Sequence, residues 1–206
     1  MNPLDFTNKR VLVVGGSSGI GNGIARAFLN AGADVHVWGT RATAADYAGD
    51  DGSDLSGLSY AQMDVSDFAA IEAYTPPFTT LDVLVLSQGI VLYKRQEFEM
   101  AGFQKVMDVN LGSLMACAAK FHDMLTATKG SLITISSTAG FHATRGNPPT
   151  APPRPGLLGS PAPWVRRGRA TVSGSMVLPP GLSIRSSPRS RLTIPKDLKA
   201  HCGISP

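Results

Sequence analysis

The chain has 206 residues, a net charge of +4 and two cysteines, which suits one domain with a sizeable core. Cys117 and Cys202 supply neither a disulfide framework nor a metal spacing, no apolar run nears the roughly 20 residues of a membrane span, and Met1 to Phe6 does not read as a secretory leader, so a cytoplasmic protein is expected. The average charge hides a break: residues 1–147 hold 10 Lys/Arg and 14 Asp/Glu, a net of −4, whereas residues 148–206 hold nine Lys/Arg, one acid (Asp197) and 12 of the 15 prolines.

Val11 to Val14 is an apolar run, and Arg10 to Val14 reads as a buried parallel strand. Gly15, Gly16, Ser17, Ser18, Gly19, Ile20 and Gly21 follow it, and Gly19 to Ala31 carries apolar residues at helical spacing, closed by Gly32. A strand, a glycine turn and a helix start in that order form a site for a pyrophosphate. The glycines allow a tight turn and close backbone approach, and first-turn N–H groups face the anion. Ala33 to Trp38 is the second strand. Dinucleotide folds that take NAD place an acid near its end for the ribose hydroxyls. This chain reads Trp38-Gly39-Thr40-Arg41, and Arg41 can pair with a 2′-phosphate, so NADP is favoured over NAD, with NAD left open. His36 alternates with Val35 and Val37 and reads as structural.

Ala45 to Leu58 is rich in Asp and Gly and reads as an abbreviated helix plus loop. Leu58 to Met63 is the third strand, and Ser66 is the expected N-cap of a helix over 67–74, stopped by Pro76 and Pro77. Leu81 to Leu86 is the fourth strand, Phe98 to Thr126 mainly one long helix, and Gly130 to Ser137 the fifth strand and its end. Strands alternating with helices predict an α/β fold with a Rossmann-type, doubly wound parallel sheet.

Gly15-x-x-x-Gly19-Ile20-Gly21 resembles the first turn of the short-chain dehydrogenase/reductase family, with Val14 where the family has Thr. The family oxidises secondary alcohols or reduces carbonyls with NAD(P). The resemblance implies that Asp64, with Val65 beside it, lies at the adenine ring. Ser87 and Gly89 stand in the segment Leu86-Ser87-Gln88-Gly89, where the family has Asn-Asn-Ala-Gly and only the glycine is kept. Asn110, in Val109-Asn110-Leu111, matches an asparagine that holds a water near the catalytic lysine. Ser137 matches the serine that bonds the substrate carbonyl. A small-molecule carbonyl or alcohol is the implied partner, nucleic acid and membranes are not, and an intact relative is expected to form a homo-oligomer.

The family then places Tyr-x-x-x-Lys a dozen or so residues after the serine. Here no tyrosine follows Tyr93, no lysine lies between Lys129 and Lys196, and the place is filled by Asn147-Pro148-Pro149-Thr150-Ala151-Pro152-Pro153-Arg154. Prolines forbid a helix through it. One reading is a genuine proline-rich tail for an SH3-like groove or an acidic partner, on a non-catalytic NAD(P)-binding or interaction protein. The other is a shifted reading frame. Joining the third base of each codon to the first two of the next, the codons for Pro148 to Arg154 permit Ala-Tyr-Ser-Ala-Ser-Lys. The same shift from Thr171 to Arg185 permits a family-like Arg-Val-Asn-x-Ile-x-Pro-Gly, with a glycine forced where Met176 meets Val177. The expected organisation is therefore a dinucleotide-binding domain over residues 1–147 and an out-of-frame tail over 148–206, in a form without activity.

Overall fold

The computed structural model describes residues 5–136. Strands β1 (Arg10–Val14), β2 (Asp34–Gly39), β3 (Ser59–Gln62), β4 (Val83–Leu86) and β5 (Ser131–Thr134) form one sheet. All neighbours pair in parallel, in the spatial order β3-β2-β1-β4-β5. The chain runs outward from β1 to β3 and then crosses back to β4. That reversal between β1 and β4 is a topological switch point, and ligands of such sheets bind beyond the carboxyl ends of the strands there.

Both faces of the sheet are covered, which is why β1 reads as unbroken hydrophobic sequence. Val11 and Val13 point to one face with Val35, Val37, Val83 and Val85. Helix α1 (Gly19–Asn30) covers that face through buried Ala25, with Ile24, Phe28 and Leu29 beside it. Leu12 and Val14 point the other way with Trp38, Leu84 and Leu86. That side is covered by α2 (Phe68–Ala73) and α4 (Ser113–Thr128), through Ile71, Leu114, Cys117, Phe121 and Leu125. Burial pushes the Cys117 thiol up to about 12, the behaviour of an inert core cysteine. The doubly wound parallel sheet is thus the fold expected from the alternation of elements.

Two local details differ from the expectation, the cap of α2 and the long helix, whereas the abbreviated β2–β3 connection is as expected. The connection from β2 to β3 contains only one 3-10 turn, Ala44–Tyr47, closed by a capping box between Thr43 and Asp46. Asn22 of α1 then holds the loop that follows, accepting from Asp54 N at 3.1 Å and donating to Asp54 O at 2.9 Å. The cap of α2 is Asp67, whose carboxylate accepts from Ala70 N at 2.9 Å. Ser66 instead closes a small turn on Asp64. The long helix is divided: a separate 3-10 turn spans Gln96–Phe98, α3 runs over Met100–Met107, and a π turn, Asp108–Gly112, joins it to α4. His36 is structural as expected, its ring 4.7 Å from Phe78 and its Nε2 3.3 Å from Asp34. Gly32 ends α1 with a φ of 91°, as its position predicts. No helix among the described residues is long and apolar enough to cross a membrane.

Candidate cofactor site

The turn after β1 is built by glycines with separate tasks. Gly15 has a φ of 75° and Gly19 a φ of 55°, values that side chains rarely tolerate. A Cβ at Gly15 would lie 2.8 Å from Gln88 N and 2.9 Å from its Cα, and one at Gly21 would strike Gly15 O. A Cβ at Gly19 would meet nothing within 4 Å. The turn is therefore packed against the segment after β4 on one side and open on the other, where Ser18, Gly19 and Ile20 are exposed while Ser17 is buried. Such a backbone cradle at a helix start suits a pyrophosphate. One donor there is already engaged: Gly19 N–H bonds Gly52 O at 2.8 Å, from the loop that Asn22 holds.

Side chains after β4 lock this seam. Ser87 Oγ donates to Val14 O at 2.7 Å, and Ser87 N donates to the same oxygen at 3.0 Å. Gln88 Nε2 reaches Ser113 Oγ at 2.9 Å, and that hydroxyl donates to Val109 O at 2.6 Å. Asn110, 2% exposed, clamps Ile90 from both sides: Nδ2 donates to Ile90 O at 2.9 Å, and Oδ1 accepts from Ile90 N at 2.8 Å. A buried amide is tolerated only when satisfied in this way. The Gln88–Ser113 and Asn110–Ile90 pairs brace the seam although the family's paired asparagines are missing. The only sign of Gln88 and Ser113 in the sequence is that each is polar beside an apolar run. Gln88 Oε1 and Ser136 Oγ are buried with no hydrogen-bond partner among the described residues, and such orphaned groups at a sheet edge are what a polar ligand satisfies.

The loops after β2 and β3 form the far end of the edge. Arg41 does not extend freely. Its Nη2 lies 2.5 Å from Asp50 Oδ2, its Nη1 bonds Asp46 O, and its guanidinium stacks 4.4 Å from the Tyr47 ring centre. Asp64 is exposed and accepts from Ser66 N at 2.9 Å and Ser66 Oγ at 2.7 Å. The bonds from Ser66 hold its carboxyl below the usual range. Val65 sends its side chain into the core. Because the strands are parallel, the residues after β1 (Gly15 to Gly21), β2 (Arg41), β3 (Asp64, Val65) and β4 (Ser87, Gly89) all fall at one edge of the sheet. Ser136 follows β5 at the same edge, and Ser137 lies outside the described residues.

The family profile described as short chain dehydrogenase matches residues 9–149. The 3-oxoacyl-[acyl-carrier-protein] reductase FabG of Chlamydia muridarum is 36% identical over 170 residues, covering 77% of this chain and 67% of that protein. The chain belongs to the short chain dehydrogenase family. A solved short chain dehydrogenase/reductase family protein superposes with a TM-score of 0.69 at 25% identity, over 80% of this chain and 70% of its own. RhlG of Pseudomonas aeruginosa, solved in an active-site complex with NADP, gives 0.64 at 26% identity, over 76% and 66%. The chain spans about two thirds of the length of the curated relatives it matches first. Family membership makes NAD(P) the cofactor class. The cradle at Gly15 to Gly21 and the orphaned polar atoms at Gln88 and Ser136 fit such a group.

Proposed function

We propose that this short chain dehydrogenase chain binds NADP in preference to NAD and serves hydride transfer between that cofactor and a carbonyl or secondary alcohol. The observation that carries the reading is the one-sided glycine cradle at the β1–β4 switch point, packed against Gln88 and open at Gly19. Ser17, Ser18, Gly19, Ile20 and Gly21 present backbone and hydroxyl groups to the pyrophosphate. Asp64 and Val65 lie at the adenine, Ser87 and Gly89 beside the nicotinamide half, and Arg41 meets the 2′-phosphate. Bound nicotinamide supplies or accepts the hydride. Ser137 polarises the substrate oxygen, and Asn110 fixes the backbone at Ile90.

The 206-residue form lacks the side chain that would carry the proton. The Tyr-x-x-x-Lys place is occupied by Pro148 to Arg154, and a positioned acid/base is worth typically about 10²–10⁴-fold. Ser137 cannot compensate, because it polarises without delivering a proton. The domain reading is a dinucleotide-binding unit over 1–147 and an out-of-frame tail over 148–206. Its support is the codon pattern, together with the change in composition at residue 147.

The test compares the 206-residue protein with a version carrying one base restored after codon 147. Both are titrated with NADPH and NADH by fluorescence and assayed on a panel of ketones and alcohols. NADPH binding tighter than NADH, with turnover at least 10²-fold higher in the restored form, is expected. Turnover by the 206-residue form near the restored rate refutes the frame reading. Equal or tighter NADH binding refutes the role of Arg41.

A further inference from the structure

Gly39 ends β2 where the sheet edge meets the glycine turn. A Cβ at Gly39 would come within 2.6 Å of both Ser17 Oγ and the Tyr47 hydroxyl oxygen. The bare α-carbon therefore leaves room for a phenol. Tyr47, 5% exposed, places its oxygen on two consecutive backbone donors, 3.1 Å from Thr40 N and 3.2 Å from Arg41 N. The Ser17 and Tyr60 hydroxyls lie beside it. Tyr60 Oη in turn donates to Arg41 O at 2.5 Å, and the two rings meet edge to face at 5.8 Å.

This arrangement has the form of an anion site. Two successive N–H groups converge on a single oxygen with the Ser17 hydroxyl beside them, as in a backbone nest. The oxygen is the chain's own. The location, just past the carboxyl end of β2 and against Ser17 of the glycine turn, is where a Rossmann-type sheet receives the adenosine ribose. We propose that Tyr47 is a built-in competitor for the ribose 2′ position, its phenol oxygen holding the Thr40 and Arg41 N–H groups that a 2′-phosphate would take. The inference rests on the dinucleotide reading above and deepens it. Cofactor choice is set by two opposed residues: Arg41 attracts the 2′-phosphate, and Tyr47 must give up its donors before the phosphate seats. A 2′-hydroxyl is small and can share a hydrogen bond with the phenol, so it carries less of this cost.

The charge state of the phenol sharpens the competition. Burial raises it, but the hydrogen bonds from Ser17, the Arg41 backbone, Tyr60 and Thr40 outweigh burial and bring it down to about 8. The charged and titratable groups around it are Arg41 over its ring, Asp46 and Asp50 around Arg41, and Tyr60 from β3. Burial and the neighbouring Tyr47 push Tyr60 up, out of the range in which Tyr47 loses its proton. Above pH 8 the site therefore holds a phenolate, which repels a phosphate dianion as well as obstructing it.

The probes are adenosine 2′,5′-bisphosphate and ADP, titrated calorimetrically into the full 206-residue protein and its Tyr47→Phe variant at pH 7 and pH 9. The bisphosphate is expected to weaken severalfold more than ADP between pH 7 and pH 9 in the unaltered protein. In Tyr47→Phe that extra loss disappears, and the preference for the bisphosphate rises by on the order of tenfold, as charge-assisted bonds to two freed donors allow. The pH comparison in the unaltered protein stands even if the variant is unstable. Failure of both nucleotides to bind overturns the dinucleotide reading and this inference with it. Binding of both, with the same pH dependence for each and an unchanged ratio in Tyr47→Phe, overturns this inference alone.

Discussion

Where β1 meets β4 the protein is shaped by backbone against backbone, whereas beyond β2 it is shaped by side chains gathered round one phenol. At the first place a Cβ on Gly15 would lie 2.8 Å from Gln88 N, and one on Gly21 would strike Gly15 O. At the second, Tyr47, Arg41, Asp50 and Tyr60 hold one another through hydrogen bonds, an ion pair and ring contacts. Backbone contacts at hard-sphere distance cannot be retuned without moving a strand. Side-chain networks can be rewired one member at a time, with modest cost where they reach solvent. The glycine-turn end of the edge is therefore rigid, and the end beyond β2 is adjustable, which is where the proposed cofactor preference would be set.

The largest test of that contrast is Gly21→Ala. The added methyl runs into Gly15 O and sits 2.5 Å from Ser87 Oγ, so α1 and β4 cannot both keep their places. Overpacking of this kind costs about 3 kcal/mol, and nucleotide binding should be lost as well. Urea unfolding of the variant measures the cost. A change below about 0.5 kcal/mol would mean that the seam yields, and the contrast between the two regions would be lost.

A smaller effect is expected from the phenol. Its folded value of about 8 lies below the ordinary tyrosine value of 10.0, so the folded chain gives up this proton first as pH rises. Stability therefore increases between pH 8 and 10, is fully gained above the unfolded value, and is lost again as pH falls through about 8. A shift of this size corresponds to roughly 2–3 kcal/mol. Unfolding of the unaltered chain and of Tyr47→Phe should diverge by that amount between pH 8 and 10, whatever background the two share. Parallel curves would show that the donors around Tyr47 do not favour its ionised form.

The smallest effect should come from Asp50→Asn, which releases Arg41 from its ion pair. The two partners are 43% and 44% exposed, so stability should change by less than about 1 kcal/mol. The freed guanidinium should raise NADPH affinity about two- to threefold, with NADH unaffected. Fluorescence titration of both cofactors reads the ratio. A large loss of stability would place Arg41–Asp50 among the structural contacts instead of the adjustable ones.

Some of this was legible from residue order alone. The Val-rich run before Gly15 could only be a strand buried on both faces, and positive-φ turns at Gly15 and Gly19 follow from glycine at those spacings. The alternation of strands and helices was enough for the doubly wound sheet, because each element's period records which face it buries. Asn110 stood out through the segment Val109-Asn110-Leu111, and Ile90 supplies the partners its buried amide needs. What the residue order could not contain is the company of Tyr47. Nothing local marks that tyrosine, since its oxygen meets Thr40 and Arg41 only after a capping-box turn brings the ring back across β2, and only because Gly39 has no side chain to refuse it. Arg41 likewise reads as a free cation along the chain, yet in space it belongs to Asp50 and the Tyr47 ring. Periodicity and glycine spacing are properties of neighbours in sequence, and they determined the sheet and the cradle. The state of the charges beyond β2 depends on distances between loops, and only the folded arrangement of β2, β3 and the turn between them decided it.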